Sequence, residues 1–174
     1  MATDVGYRVA HHGDLEAGPA PDVLEVAAGD RFEVGGLAVV VGATDHRPVA
    51  PTVAFRVDDG TSSAVLAGDG VPCATLDQLL AGATAYVQSV IRDDLLALVP
   101  NQRFQDILDY HSTVAQAAET AARAKVAALV LTHYVPPLAP GAAAEWRAQA
   151  APFDGLVVLG DDLTWLELPS LEVG

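Results

Sequence analysis

Apolar and polar positions alternate with a period of two through the front of the chain and lengthen to helical spacing further on. Val5 to Val9, Val23 to Ala27, Arg31 to Val34 and Leu37 to Val41 read as short strands, with Gly-rich turns between the later ones. Thr52 to Val57 alternates fully, Val53 and Phe55 facing one way and Thr52, Ala54 and Arg56 the other. Asp58-Asp59-Gly60-Thr61 then predicts an Asp-Gly hairpin turn. The next strand, Ser63 to Ala67, runs into Gly68-Asp69-Gly70. Thr75 to Leu80 reads as a short helix capped by Thr75 and stopped by Gly82. Ala85 to Ile91 reads as a buried strand, and Phe104 to Tyr110 as a helix with Phe104, Ile107 and Leu108 on one face. Thr113-x-x-Gln116 is a capping box, and Ala117, Ala121 and Ala124 line the helix it opens. Ala127 to Leu131 is a continuous buried strand. Ala142 to Ala151 reads as a helix with Trp146 turned inward, and Leu156 to Leu159 and Leu163 to Leu168 as closing strands. An antiparallel β front followed by β-α-β units places the chain in the α/β class, with residues 1–174 forming one unit.

Composition narrows the partners. Lys125 and eight arginines oppose twenty-three carboxylates, a formal charge of −14. Such a surface repels phosphate backbones, so weak nucleic-acid binding is expected of this chain alone. The longest apolar run, around Val126 to Leu131, is far below a membrane span, and the first residues hold no apolar signal segment. With Cys73 as the only cysteine, no internal disulfide and no cysteine-rich zinc module can form. A cytoplasmic protein is the expectation.

The candidate chemistry lies where strands give way to loops, the place α/β folds put their sites. His46 follows a strand in a loop stiffened by Pro48 and Pro51; it reads either as a metal ligand or as a surface histidine beside Asp45. Asp69, between two glycines, can bridge two cations through its two oxygens, or serve as an ordinary turn aspartate. His133, just past a buried strand, reads as a ligand or as a core histidine bonded to a backbone carbonyl. His111 precedes the capping box, where it could meet an anion at the helix terminus or simply occupy the loop. His11 and His12 read as surface residues, and Cys73 as a small buried side chain rather than a ligand.

Taken in order, these signals resemble the second half of a metallo-β-lactamase-fold hydrolase, and more narrowly its ribonuclease Z-like branch. The likeness runs from about Tyr7 almost to the C-terminus. Thr44-Asp45-His46-Arg47-Pro48, leading into Pro51 to Arg56, is similar to the family's middle histidine and the strand after it. Val65-Leu66-Ala67-Gly68-Asp69 is similar to its Gly-Asp-Thr segment, with Gly70 where a threonine usually stands. Tyr110-His111-Ser112-Thr113 resembles its His-Ser-Thr motif, Leu129 to Tyr134 its final Leu-Thr-His, and Phe153 to Val157 with Gly160 to Leu163 its closing strands. The resemblance implies an αββα sandwich, of which this chain is the C-terminal half. It implies that His46 binds one zinc, Asp69 bridges two and His133 binds the second, with manganese as an alternative metal. His111, working with Asp69, would contact the scissile phosphate or protonate the leaving oxygen. The substrate would be a phosphate, sulfate or other ester, or RNA.

Two departures qualify that picture. The His-x-His-x-Asp-His cluster of the family is absent from the sequence, and with it four ligands of the two-metal site. Val87-Gln88-Ser89 stands where many relatives carry a His-Glu pair. The expectation is therefore a metal-dependent phosphodiesterase-type hydrolase, impaired in this chain alone, which forms a homodimer or pairs with a complementing N-terminal half. The alternative is a non-catalytic remnant that binds a partner through the surviving cleft.

Overall fold

In the computed structural model of the protein, the structure describes residues 10–11 and 23–174. The strand expected at Val5 to Val9, and His12, lie outside the described residues. Among the described residues, seven strands stand in one sheet in the order in which they occur: β1 (Arg31–Val34), β2 (Leu37–Ala43), β3 (Val53–Asp58), β4 (Ser63–Leu66), β5 (Ala85–Ile91), β6 (Ala128–Val135) and β7 (Leu156–Leu159). The first four form an antiparallel meander, and β4 to β7 run parallel. A parallel neighbour requires a crossover, and each is made by a helix. These are α1 (Ala74–Leu80) before β5, α4 (Val114–Ala124) before β6 and α5 (Ala143–Ala148) before β7. The long connection from β5 to α4 also holds α2 (Asp93–Leu96), α3 (Gln102–Asp106) and a 3₁₀ turn (Ile107–Asp109).

The alternation of β3 fixes which face the helices cover. Ala54 joins Val65, Tyr86, Val90, Leu129 and Leu131 in one core, closed by Leu76 and Leu80 of α1, Ala117 and Ala121 of α4, and Trp146 of α5. The small side chains of α4 let its backbone lie close to β5 and β6, so packing is dense without large residues. On the other face, Val87 and Val130 stay half-buried and Leu66 is exposed. There Val87, Val130, Val158, Leu166 and Leu168 line a groove of about 680 Å³. The described residues thus build a sheet with helices on one side and an apolar second side, half of an αββα layering.

Several expected elements differ. Among the described residues, Val23 to Ala27 pairs with no strand, and Leu163 to Leu168 makes an isolated bridge between Leu166 and Val173. Both have β-type composition, but the first has no neighbouring ladder among the described residues and the second pairs only with the short stretch Glu172 to Gly174. Helix α1 begins one residue early, with Cys73 rather than Thr75 at its N-cap. The helix expected over Phe104 to Tyr110 is split into α3 and the 3₁₀ turn, leaving Phe104 at the surface. Among the described residues, no helix is long and apolar enough to cross a membrane.

Candidate metal centre

Three loops meet at the carboxyl ends of β2, β4 and β5, and hydrogen bonds knit them together. Val71 N–H donates to the Asp45 carbonyl at 2.8 Å, joining the His46 loop to the Asp69 loop. At Gly70, with φ +152°, an added Cβ would stand 2.9 Å from that same carbonyl oxygen. Glycine is what allows the two loops to approach this closely. Ser112 Oγ donates to the Gly70 carbonyl at 2.7 Å, while Ile91 N–H donates to the Ser112 carbonyl at 2.9 Å. The His111 loop is therefore fastened both to the Asp69 loop and to the end of β5.

This knitting brings His46, Asp69 and His111 together, with one potential ligand atom from each lying within 4.8 Å of the others. It is the one such group of three among the described residues. His46 Nδ1 lies 2.8 Å from the Tyr110 carbonyl, and His111 Nδ1 lies 3.2 Å from the Ile107 carbonyl. A carbonyl only accepts, so each ring carries a hydrogen on Nδ1 and leaves Nε2 to face the cluster. That is how ligand imidazoles are commonly oriented from behind. The donor set of two imidazole nitrogens and a carboxylate fits a first-row divalent cation.

Asp69 faces a fourth residue as well. Its Oδ2 lies 3.6 Å from His111 Nε2, and its Oδ1 lies 3.6 Å from His133 Nδ1. Burial alone would raise the Asp69 carboxyl. The Ser89 hydroxyl and the imidazoles of His133, His111 and His46 outweigh it and hold the group below its ordinary value.

His133 reaches this position by a route the sequence hides. Strand β6 does not stop before it but continues to Val135, and at this point the register shifts: Ser89 pairs with Thr132 and Ile91 with Val135. The extra residue in β6 is a bulge, and His133 takes a left-handed φ of 47° within it. The bulge turns the ring toward Asp69 but leaves the side chain 62% exposed. The three candidate imidazoles, His46, His111 and His133, thus surround the fourth candidate, the Asp69 carboxylate. The grouping differs from the expected trio of His46, Asp69 and His133, because His111 shares the closer cluster and His133 stands across Asp69. Cys73 lies outside, half-buried, its Sγ 3.4 Å from Thr75 Oγ1.

The layering and the place of the cluster match solved structures of the metallo-β-lactamase fold. The metallo-beta-lactamase fold protein YhfI from Bacillus subtilis superposes with a TM-score of 0.62 at 20% identity, over 78% of this chain and 50% of its own. The short form of human tRNase Z superposes at 0.54 and 21% identity, over 79% of this chain and 44% of its own. The chain belongs to the ribonuclease Z family. A putative ribonuclease Z of Mycobacterium tuberculosis is 51% identical over 95% of this chain and 74% of its own length. The ribonuclease Z of Mycobacterium avium is 60% identical over 92% of this chain, but this chain spans only 58% of it. No family model matches the sequence.

Proposed function

We propose that this chain carries part of the active centre of a divalent-metal phosphodiesterase of the ribonuclease Z type, with RNA as its substrate class. One observation carries the proposal: the two oxygens of Asp69 face two different imidazoles, His111 on one side and His133 on the other, at 3.6 Å each. A carboxylate so placed can serve two cation positions, His46 belonging to the first and His133 to the second. Zinc suits the imidazole-rich donor set, and manganese is a second candidate. A bound metal supplies Lewis-acid polarisation of a phosphoryl oxygen and a stronger nucleophile from water.

The chain's own residues do the rest. His46 and His111 present Nε2 in fixed directions because their Nδ1 hydrogens are held by backbone carbonyls. His111 has two possible duties, as a third ligand or as the group that contacts the phosphate and moves a proton to the leaving oxygen. The acidic surface argues against this chain gripping RNA unaided. We place the remainder of the hydrolase fold on the apolar second face of the sheet, whether it comes from the same polypeptide or another.

The test joins this chain to the stretch of the Mycobacterium avium relative that it does not span. The expected product hydrolyses an activated phosphodiester with added zinc or manganese, stops with a chelator, and loses activity on Asp69→Asn. A well-folded fusion with no metal-dependent hydrolysis would sink the proposal.

A further inference from the structure

Gly68 precedes Asp69, and its carbonyl is gripped from two sides. Gln88 Nε2 donates to it at 2.9 Å and Ser89 Oγ at 2.8 Å. Successive side chains of a strand point to opposite faces of its sheet. Gln88 and Ser89 are such neighbours on β5, yet both converge on this one oxygen, one from each face. Two donors fill the two lone pairs of the carbonyl and fix the plane of the Gly68–Asp69 peptide. The direction in which Asp69 leaves the backbone is fixed with it.

The amide of Gln88 is itself held. Tyr86 Oη donates to Gln88 Oε1 at 2.5 Å, and Gln88 Nε2 also donates to the Ser89 carbonyl at 2.9 Å. The oxygen thus has its donor and both N–H groups have acceptors, so the amide has one orientation. Burial pushes the Tyr86 hydroxyl far above its ordinary value, which keeps it a donor. All three side chains are almost wholly buried, Tyr86 at 0%, Gln88 at 1% and Ser89 at 3% exposure. Polar groups this deep are costly unless each bond is made, and here each is. Ser89 has a single hydroxyl proton, and it lies on the Gly68 carbonyl.

We infer that Tyr86, Gln88 and Ser89 are positioning residues that aim the Asp69 carboxylate at its two imidazoles. The inference rests on the proposed metal centre. It assigns these buried polar groups to the site rather than to fold stability alone, since their bonds end on the peptide of the bridging carboxylate.

The experiment measures Zn²⁺ affinity of the full chain by competition with a chromophoric chelator, alongside a thermal scan of the metal-free protein. Ser89→Ala and Gln88→Met are expected to bind Zn²⁺ about 10- to 100-fold more weakly, the usual cost of removing a partner behind a ligand. Ser89→Thr, which restores the hydroxyl, is expected to recover most of the loss. Ser89→Ala changes little volume and keeps the test open if Gln88→Met fails to fold. Parent-like affinity in folded Ser89→Ala, with Asp69→Asn abolishing binding, overturns the positioning role while leaving the metal centre intact. Parent-like affinity in Asp69→Asn brings down the metal centre and this inference together.

Discussion

The two sides of Asp69 are built to different standards. On the His111 side, both imidazoles have Nδ1 tied to backbone carbonyls, and the His111 side chain is only 11% exposed. The loops there are fastened by Ser112 and Gly70, and the ring of His111 meets those of His46 and Tyr110 at 5.0 and 4.9 Å. On the other side, His133 projects from a bulge with most of its surface in water. What steadies it is its neighbour: Tyr134 Oη donates to the Leu131 and Gly160 carbonyls at 2.7 and 2.9 Å and packs edge-on against Trp146. A preorganised ligand loses little freedom when a cation arrives, whereas an exposed one loses more. Of the two proposed cation positions, the His111 side is therefore the preorganised one and the His133 side the looser one.

The largest expected effect tests that asymmetry directly. His111→Ala should weaken Zn²⁺ binding at least tenfold more than His133→Ala, because it removes a donor already aimed and desolvated. Because His111 is buried and His133 exposed, circular dichroism of each metal-free variant first establishes that it folds. Titration with Zn²⁺ gives the comparison. Equal losses would mean that the two sides are equivalent, and a larger loss for His133→Ala would reverse the ranking.

A smaller effect concerns acid. The Asp69 carboxyl is lowered in the folded chain from an ordinary value of 3.8, so the folded state binds its proton less readily than the unfolded state does. The stability this brings is fully present above 3.8 and is lost as pH falls through the lower, folded value. Among the imidazoles, His133 is the largest charge contributor to that lowering, ahead of His111 and His46. Removing it should therefore move the acid-unfolding midpoint of the metal-free chain upward by more than removing His46 does. Circular dichroism against pH measures this. No difference between the two variants would show that the exposed imidazole is screened too well to matter.

How much of this was legible in the sequence depends on whether the cause was local. Strands β5 and β7 match their expected limits, because turn residues bound each short run. The capping box at Thr113 is realised in full, since its geometry involves only four consecutive residues. The failures need a partner that the pattern does not contain. Among the described residues, Val23 to Ala27 lacks a neighbouring strand, and Leu163 to Leu168 finds only the short stretch Glu172 to Gly174. The bulge at His133 exists only as a mismatch between β5 and β6. The grouping of His111 with His46 and Asp69 arises from loops closed by Gly70 and Ser112, so spacing along the chain does not reveal it. The resemblance to a known family named all four residues, but which ones share the closer cluster is a property of the folded loops.

The smallest effect separates the two sides through a residue that touches neither ligand cluster. Thr113 caps α4: its Oγ1 accepts from Gln116 N–H at 3.1 Å, and Gln116 Oε1 accepts from Thr113 N–H at 2.9 Å. Thr113 follows His111 and Ser112 directly, and it bridges to Ile91. Thr113→Ala should cost about 1 kcal/mol of stability, read as a drop of a few degrees in the melting temperature. Thr113→Ser keeps the acceptor and should stay close to the parent. Fraying of the first turn of α4 loosens the Ser112 anchor, so the His111 side should show faster amide exchange at Ser112 and His111. Residues around His133 are held by Tyr134 and should exchange as before. If exchange rises equally on both sides, the two halves of the centre open as one unit, and the contrast between a preorganised and a looser position does not hold in solution.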